Sequence, residues 1–556
     1  MATAVIDIET NRAWDHIWCV GVCIENQEPR LAFNVEELHT LLCGVSRVVG
    51  HNLVGFDLPI LKKVWGFEWN KDVHDTLVIG RLLDPAIEPI ENASGIHRGH
   101  SLKAWSVRAG DEIKDDFDPE NFDLGYTEEM GSYCLQDTKA TWSVYQMMET
   151  MVEERGFSWA SVELEHDVRR LTTVQEDNGF AFDFPRACGI YQQHTERMRE
   201  IEDELQQVFP PIVTERWSEK TGKRLKDNVE VFNPGSRPQV AKRLADKGAV
   251  WKRTTPTGKP MVDETALEEN AHVPEAGLVL EYMTLGKRSG MVKSWLDSVG
   301  EDGRIHGRVN TCGAVTGRMS HSGPNVAQVP SDKLYRECWT VADGNVLVGV
   351  DASGLELRML AHYMQDAEYT DLILHGDIHT HNQNLAGLPS RNDAKTFIYA
   401  LLYGAGDGKI GSIIGGKARD GARLRAKFMA GLPAYAKLMT RIGKIIAKSG
   451  TLPGLDGRRL NVRSEHSALN TLLQSAGAIV MKKALVLGSD ALHKAGVPYK
   501  LVAQVHDEFQ IEAPTEHAEF VGATFRQAII DAGLAFEMRC PLDGEAKIGN
   551  TWADTH

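Results

Sequence analysis

The chain has 556 residues, of which 42% are hydrophobic, 25% charged and 7% aromatic. This composition is that of a globular protein and excludes a disordered, collagen-like or fibrous chain. No apolar run approaches the roughly 18 residues that a membrane span needs, and the N-terminal segment has no secretory signal. The 8 cysteines are scattered without a CxxC pair, which argues against a zinc ribbon or a disulfide framework. We therefore expect a cytoplasmic protein of about three domains.

The net charge of −16 is unevenly distributed along the chain. Residues 1–160 contain 27 acidic and 13 basic side chains, whereas residues 216–259 contain 4 acidic and 12 basic ones. An acidic segment can concentrate metal ions and a basic segment can bind phosphates. A solvated basic loop is the alternative for residues 216–259, so charge alone does not identify a function.

Local patterns predict an acidic α/β segment at the N-terminus and longer helices after it. The tract Asp111–Glu129 is predicted to be a loop, and breakers such as Asn-Pro-Gly predict a partly irregular tract over Pro210–Lys259. From Gly303 onward, short strands, glycine-rich turns and amphipathic helices follow one another. The predicted strands and helices before that point are Ala4–Ile8, Trp18–Cys23, Val48–His51, Leu58–Val64, Glu128–Glu154, Glu163–Val208 with a break at Asn178-Gly179, Arg237–Lys247 and Leu278–Val299.

Five residues near the N-terminus have the spacing of a divalent-metal site. Asp7 and Glu9 interrupt an apolar strand at positions i and i+2, so both carboxylates lie on one face. Asp57 ends a second apolar segment, and Tyr133 and Asp137 are one helical turn apart. Carboxylates without His or Cys favour Mg²⁺ or Mn²⁺, and two such ions serve phosphodiester hydrolysis, with Tyr133 orienting the attacking water. Surface acids are the alternative, but the order DxE, Asp57, YxxxD favours a metal site.

The three segments DIET, HNLVGFD and YCLQD resemble the motifs of the DEDDy group of proofreading 3′→5′ exonucleases. The resemblance implies an RNase H-like domain over residues 1–160. It implies a site that binds two Mg²⁺ ions, or Mn²⁺, through Asp7, Glu9, Asp57 and Asp137.

Two further aspartates are predicted at the ends of strands in the C-terminal half. An apolar strand ends in Asp351, and a predicted hairpin over Leu501–Ile511 carries the sequence His-Asp-Glu at its tip. Asp351 and Asp507 can together hold two Mg²⁺ ions, one for an attacking hydroxyl and one for a triphosphate. Taken alone, the tip is equally a polar hairpin turn.

Between these aspartates, Arg391, Lys395, Tyr399 and Tyr403 recur every four residues and form a stripe along one predicted helix. The stripe offers cations for phosphates first and aromatic faces for a base later. An amphipathic helix with tyrosines packed in the core is the alternative for the stripe by itself.

These blocks resemble motifs A (DxSxxELR), B (RxxxKxxxYxxxYG) and C (HDE) of the family A DNA polymerases. The stretches TGRxS, PNxQ, DIHT and NxxxQ accompany them, and AKTFIYALLYGAG and LNTLLQSAGA are similar to T-seven-like phage replicative polymerases. The resemblance implies a multidomain α/β and α+β protein with a right-hand polymerase of palm, fingers and thumb. The implied division is linker helices and thumb over residues 161–300, palm over 301–375 and 465–556, and fingers over 376–464.

The resemblance also implies a role for each matched residue. Lys395 would give a proton to the departing pyrophosphate, Glu356 would crowd a ribose 2′-OH, and Tyr399 would hydrogen-bond to Glu356 and allow 3′-deoxy nucleotides. The catalytic or metal-binding residues of the polymerase site, again with two Mg²⁺ ions, would be Asp351, the Ala352 carbonyl, Asp507, Glu508 and Lys395. The dNTP-binding residues would be Arg391, Lys395, His379, Glu356, Tyr399 and Tyr403. The DNA-binding residues would be Arg318, Asn325, Gln328, Asn470, Gln474, His506, Lys287 and Arg288.

The partners that the resemblance implies are primer–template DNA, dNTPs, a replicative helicase-primase and an ssDNA-binding protein, acting on a monomer without a membrane. T-seven-like enzymes carry a long thumb insertion that binds host thioredoxin. The corresponding tract here, about residues 210–231, is far shorter. The short tract argues against dependence on thioredoxin. The sequence does not identify another processivity factor.

Three other functions fit part of the sequence. A single-subunit RNA polymerase shares the helix stripe and two aspartates, but Glu356, the His-Asp-Glu tip and the exonuclease motifs oppose it. A repair exonuclease with an inert C-terminal half is opposed by the intact residues Asp351, Lys395 and Asp507. A non-enzymatic DNA-binding scaffold has no reason to keep two complete sets of acids.

Overall fold

The computed structural model describes residues 2–92, 95–97, 99–111 and 118–556. The chain forms two compact units. Unit 1 consists of Met1–Phe180, Gly307–Ser331 and Val341–His556, and unit 2 of Ala181–His306 and Asp332–Thr340. Unit 2 overlaps the predicted thumb, whereas the predicted exonuclease, palm and fingers all contribute to unit 1. The finer division remains a prediction, and residues 112–117 of the predicted loop lie outside the described residues.

The N-terminal part of unit 1 is a five-stranded sheet with strand order β3-β2-β1-β4-β5. Strands β1 and β2 are antiparallel, whereas β4 is parallel to both of its neighbours. Along β1, Ile6 packs on one face against Ile60, and Val5 packs on the other against Trp105. The elements are β1 Ala2–Thr10, β2 Ile17–Ile24, β3 Arg30–Ala32, α1 Val35–Leu41, β4 Val45–Gly50, α2 Asp57–Trp65, β5 Asp72–Asp75, α3 Thr76–Leu83, β6 Ile90–Asn92, β7 Gly95–His97, α4 Leu102–Ala109, α5 Glu128–Glu154 and α6 Trp159–Asn178.

Unit 2 is mainly helical, and a hairpin occupies part of its basic tract. The sequence predicts irregular structure there, but residues 212–230 pair as two antiparallel strands because their alternating Val, Thr and charged side chains suit an exposed ribbon. The core contains Leu205, Phe232, Val240 and Val279. The next elements in the chain are β8 Phe180–Phe182, α7 Phe184–Val208, β9 Ile212–Trp217, β10 Arg224–Glu230, α8 Arg237–Ala245, α9 Glu264–Glu268, α10 Pro274–Leu296 and β11 Arg304–Ile305, then β12 Arg308–Asn310 and β13 Ser320–Ser322 in unit 1, then α11 Lys333–Arg336 and β14 Trp339–Thr340 in unit 2.

The C-terminal part of unit 1 is built around an antiparallel sheet with strand order β18-β19-β15-β20. The remaining elements are β15 Asn345–Ala352, α12 Leu355–Met364, α13 Ala367–His375, α14 Ile378–Ala386, α15 Arg391–Leu402, α16 Asp407–Ser412, α17 Ala418–Gly431, α18 Pro433–Ser449, β16 Thr451–Pro453, β17 Arg459–Asn461, α19 Ala468–Lys494, β18 Lys500–Val505, β19 Glu508–Pro514, α20 Ala518–Ala535 and β20 Gly544–Gly549. Short 3₁₀ helices cover Pro119–Asp123, Val326–Gln328, Glu465–Ser467 and Thr515–His517.

The segment Glu465–Lys494, which includes α19, has the length and composition of a membrane-spanning helix. However, 78% of its most apolar window is buried inside the protein, as in the core helix of a globular unit. Asn470 and Gln474, one turn apart, are partly exposed among buried neighbours. The helix therefore combines a core role with a short polar face.

Candidate active sites

The turn before α2 carries Asp57 to the middle of β1. The Asp57 Oδ1 atom accepts a hydrogen bond from the backbone N–H of Ile8, 3.2 Å away, between the two acids of that strand. A glycine is required at position 55, because an added Cβ would lie 2.4 Å from the Arg169 guanidinium and 2.6 Å from the Asn52 side chain. The segment HNLVGFD is thus shaped to place one carboxylate against β1.

The acids predicted from the sequence meet at this strand. Asp7 is partly exposed, while Glu9 and Asp57 are buried. Burial, reinforced by the charges of neighbouring acids, raises the pKa of Glu9 to about 9 and that of Asp57 to about 8. The pKa of Asp7 is raised for the same two reasons, with Glu9, Asp57 and Asp137 all contributing. Such a concentration of carboxylates is costly unless protons or cations neutralise it.

Helix α5 supplies the remaining predicted residues, Tyr133 and Asp137. Burial and a hydrogen bond to Asp137 raise the pKa of the Tyr133 hydroxyl, so Tyr133 stays protonated and can act as a donor. The same helix brings in Cys134, which the sequence analysis does not include. Its Sγ lies 3.9 Å from Asp7 Oδ2, and Asp7, Glu9 and Cys134 offer ligand atoms within 4.8 Å of one another. Its place between Tyr133 and Asp137 in YCLQD is a signal that could have identified it.

A buried acid, Asp75, supports this site and is also absent from the sequence prediction. Its two carboxylate oxygens accept hydrogen bonds from the backbone N–H groups of Asn52 (2.9 Å) and Val54 (3.0 Å), which fixes the turn before Asp57. Its charge contributes to the raised pKa of Asp57. The segment Val-His-Asp-Thr, an aspartate between a strand and a helix, is the pattern of an N-cap and is the signal in the sequence.

The second site lies where β15 meets the β18–β19 hairpin. Val505 pairs with Glu508, so His506 and Asp507 form a two-residue tip, and His506 adopts a left-handed backbone with φ of +58°. The Asp507 carbonyl accepts a hydrogen bond from the Ala352 N–H, 2.9 Å away. This bond places the tip beside Asp351 at the end of β15.

The two aspartates share a negatively charged environment. Burial, with the charges of Asp507 and Glu508, raises the pKa of Asp351 to about 7. The Asp507 pKa is also raised, by burial first and by Glu356 second. Glu545, which lies opposite Asp351 on the neighbouring strand β20, also contributes to the raised pKa of Asp351. Two acids with raised pKa values at one strand end have the chemistry of a divalent-cation site.

Glu356 lies in the first turn of α12 and is held by a tyrosine, although not by the one predicted. The hydrogen bond to its Oε1 atom comes from the Tyr403 hydroxyl, 2.9 Å away, and not from Tyr399 as the resemblance implies. The correction has a simple cause: Tyr403 caps the end of α15, where its exposed side chain can reach back to α12. Arg318 Nη2 lies 3.7 Å from the same Glu356 oxygen.

The stripe on α15 is confirmed as far as Leu402, with Tyr403 at its C-cap. Arg391 and Lys395 are exposed, and Arg391 Nε lies 2.8 Å from Asp377 Oδ2. Burial and the charges of these two cations lower the pKa of His379, at the start of α14. The ring of Tyr399 lies 6.4 Å from that of His379 and 6.4 Å from that of Tyr403. Cations and aromatic rings thus form one continuous surface.

The predicted DNA contacts occupy several surfaces. Arg318 and His506 line one small pocket of unit 1, and Asn470 and Gln474 form the polar face of α19. Asn325 and Gln328, on the segment after β13, are exposed. In unit 2, Lys287 is exposed and the Arg288 guanidinium stacks on the Tyr335 ring at 5.4 Å.

Glu508 differs from its neighbours at the tip because it is buried. Its oxygens accept hydrogen bonds from Trp552 Nε1 (2.6 Å) and His556 Nδ1 (2.9 Å). The C-terminal residues Trp552 and His556 therefore enclose the third residue of the His-Asp-Glu motif, and its place at the primer end remains a prediction.

Both clusters fit divalent cations by the chemistry of their donors. In each cluster, neighbouring carboxylates raise one another's pKa values because their negative charges repel. A bound cation would reduce this repulsion in place of protons. Oxygen donors suit Mg²⁺ or Mn²⁺. The Cys134 thiol is the one soft atom in the first cluster among the described residues.

Comparison with known proteins confirms the resemblance to the family A DNA polymerases. The DNA-directed DNA polymerases of Escherichia phage T7 and Enterobacteria phage T3 are 34% and 33% identical, each match covering 92% of both chains. DNA polymerase I of Aquifex aeolicus is 28% identical over 68% of this chain and 64% of its own. The polymerase domain of Pol1 from M. smegmatis, solved with DNA primer-template and dNTP, has a TM-score of 0.82 at 19% identity, covers 100% of this chain and 96% of its own, and shows the fold alone. Residues 203–554 match the family described as DNA polymerase family A, and with the two phage relatives this match shows that the chain belongs to the family A DNA polymerases.

Proposed function

We propose that this protein is a phage-type replicative DNA polymerase that extends a primer 3′-OH with dNTPs and proofreads with a 3′→5′ exonuclease. The observation that carries the proposal is the presence of two separate carboxylate clusters in one chain, one on β1 and one at the tip beside β15. Tyr133 accompanies the first cluster, and Tyr403 and Arg318 meet Glu356 beside the second. A protein that only hydrolyses DNA would need only the first cluster.

At the polymerase site, Asp351, Asp507 and the Ala352 carbonyl would hold two divalent ions, which when bound would supply charge stabilisation for the attack of the primer hydroxyl on the triphosphate. Arg391, Lys395 and His379 bind the phosphates. Lys395 donates a proton to the departing pyrophosphate.

The aromatic residues and the tip position the nucleotide and the primer. Tyr403 stacks at the insertion site, Tyr399 lies beside the sugar, and Glu356 excludes a 2′-OH. Glu508 and His506 lie at the primer end, and the exposed polar residues named above contact DNA without reading its sequence.

At the exonuclease site, Asp7, Glu9, Asp57 and Asp137 would hold the divalent ions. Tyr133 keeps its proton, donates a hydrogen bond and orients the water that attacks the terminal phosphodiester. The protein acts as a monomer in the host cytoplasm, with a helicase-primase and an ssDNA-binding protein as partners. The short hairpin of residues 212–230 stands where a thioredoxin-binding insertion is expected, so we propose a different source of processivity.

An end-labelled primer on a longer template, incubated with Mg²⁺ in the presence and absence of the four dNTPs, tests the proposal. We expect extension with dNTPs and shortening without them. Shortening in both reactions would contradict the polymerase half of the proposal, and no shortening in either would contradict the proofreading half.

Replacing Glu356 with alanine is expected to weaken discrimination against ribonucleotides and to slow synthesis. The side chain is fixed by Tyr403 beside Asp507, so its loss opens space for a 2′-OH and removes a charge from the site. We expect the ratio of kcat/KM for dNTP over rNTP to fall by roughly 10- to 100-fold. Tyr403→Phe, which removes only the hydrogen bond, should lower the ratio less. An unchanged ratio in Glu356→Ala would refute the role.

Without divalent metal, the protein should become less stable as the pH rises. The folded state keeps protons on Glu9 up to about pH 9 and on Asp57 up to about pH 8, whereas the unfolded chain releases them near pH 4. Between these limits the folded state binds more protons, so stability falls with increasing pH.

The measurement is the thermal midpoint at pH 6 and pH 9, with and without Mg²⁺, at one scan rate. We expect Mg²⁺ to raise the midpoint by roughly 2–4 °C more at pH 9 than at pH 6. The variant with Asp7→Asn and Glu9→Gln should lose most of this difference. An equal effect of Mg²⁺ at both pH values would contradict the assignment of these acids.

A further inference from the structure

Two acidic and two basic side chains of unit 1 are buried together beneath the turn Thr316-Gly317-Arg318. Glu165 on α6, Arg458 before β17 and Lys482 on α19 each expose 2% or less of their side chains, and Asp456 exposes 3%. Glu165 Oε1 accepts hydrogen bonds from Arg458 Nη2 at 2.8 Å and from Lys482 Nζ. Asp456 Oδ2 pairs with the same Arg458 nitrogen at 2.6 Å.

This cluster, the Glu165 network, is expensive to bury. Removing charges from water costs several kcal/mol per ion, and packed apolar residues often stabilise a core as well or better. Attraction between the two positive and two negative charges offsets part of the free-energy cost of burying them. It does not explain why charged residues occupy these positions when apolar residues could fill them. Their contacts with one backbone segment suggest the reason.

The network contacts the turn at two points. Lys482 Nζ donates a hydrogen bond to the Gly317 carbonyl, 2.8 Å away. Gly317 has φ of +73°, and a Cβ there would lie 2.7 Å from Arg458 Nη1, so the glycine backbone lies directly on the guanidinium. Lys482 and Arg458 together therefore determine where the turn runs.

The last residue of this turn is Arg318, which faces the proposed polymerase site. Its guanidinium lies 3.7 Å from Glu356, and it lines one small pocket together with His506 of the hairpin tip. Its backbone carbonyl accepts hydrogen bonds from Gly313 and Ala314, so the rest of the loop is closed on itself. A shift of Gly317 would thus displace Arg318 as a unit with its loop.

We propose that Lys482 and Arg458, held by Glu165, are positioning residues that fix the Gly317 carbonyl and so aim Arg318 at the primer–template. This inference rests on the proposed function, because it assumes that Arg318 contacts DNA. Lys482, Arg458 and Glu165 do not touch DNA themselves in this proposal. Their contribution to the reaction passes through Arg318.

A double-mutant cycle on single-nucleotide extension separates the two assumptions. The variants are Lys482→Met, Arg318→Ala and the two combined, with kcat and KM measured for one dNTP. We expect Lys482→Met to lower kcat/KM by about tenfold. The loss should be divided between kcat and KM in the same way as in Arg318→Ala. The kcat/KM of the double variant should be within about twofold of that of Arg318→Ala alone. Effects that multiply would overturn the positioning role.

The controls keep the two failures distinguishable. Full activity in Arg318→Ala would contradict the DNA contact in the proposed function, and the positioning role with it. Lys483→Met, which alters the partly exposed neighbouring lysine, should leave kcat/KM within about twofold of the original protein. Hydrolysis of single-stranded DNA should be unchanged in Lys482→Met, and a parallel loss of hydrolysis would show general damage and overturn the inference.

A second variant covers the case in which Lys482→Met fails to fold. Glu165→Gln keeps the side-chain volume and an acceptor oxygen but removes the charge that holds Lys482 and Arg458. The same cycle with Arg318→Ala is then expected to be non-additive, and multiplicative effects would again contradict the proposal.

Discussion

Replacing either Asp351 or Asp507 with alanine is expected to abolish primer extension and to leave primer shortening intact. We expect the extension rate to fall by roughly a thousandfold or more, because each variant removes a carboxylate that no neighbouring side chain can replace in holding the ions. The measurement is single-turnover extension with Mg²⁺, followed on the same preparation by hydrolysis without dNTPs. Retained hydrolysis shows that the fold survives the change.

Glu545→Gln is the matched control for these two variants. Glu545 faces Asp351 from the neighbouring strand and contributes to its raised pKa, so the variant changes the local charge without removing a proposed ligand. Extension should then stay within about threefold of the original rate. A loss as large as that of Asp351→Ala would mean that net charge, rather than ligation, is what the site requires. Unchanged extension in both aspartate variants would refute the site assignment.

The elements that carry the candidate site residues were predictable because their signals are local. Period-2 alternation identified β1 with Asp7 and Glu9, and the turn-like His-Asp-Glu sequence between apolar runs identified the β18–β19 hairpin. The approach of Asp57 to β1 could be expected from motif order, but the bond to the Ile8 N–H that places it there could not.

Contacts between distant segments escaped the sequence analysis for physical reasons. Glu165 lies 293 residues from Arg458 and 317 from Lys482, and no periodicity connects such positions. Glu356 is hydrogen-bonded by Tyr403, which lies one helical turn after Tyr399. Residue spacing alone cannot decide between the two tyrosines, because both belong to the same stripe. The burial of Glu508 by the C-terminal residues likewise depends on packing across the sheet.

The variant that combines Asp7→Ala with Glu9→Ala should show the opposite behaviour: primer shortening disappears while extension continues. We expect hydrolysis to fall by roughly a thousandfold or more, because two of the four proposed carboxylate ligands are lost from the same strand face. The assay is hydrolysis of end-labelled single-stranded DNA with Mg²⁺, together with extension on the same preparation. Because both acids carry raised pKa values, their removal relieves repulsion, and the metal-free variant should be at least as stable as the original protein.

Cys134→Ser distinguishes ligation by oxygen from ligation by sulfur in that cluster. The thiol lies within 4.8 Å of the ligand atoms of Asp7 and Glu9, so its position alone would allow it to bind a cation. A hydrogen bond with Cys19, burial and the charge of Asp7 raise its pKa, which keeps the sulfur protonated and a poor ligand for Mg²⁺. Hydrolysis with Mg²⁺ should therefore remain within about twofold in Cys134→Ser. A loss approaching that of the double alanine variant would make the thiol part of the metal site and would contradict a purely carboxylate centre.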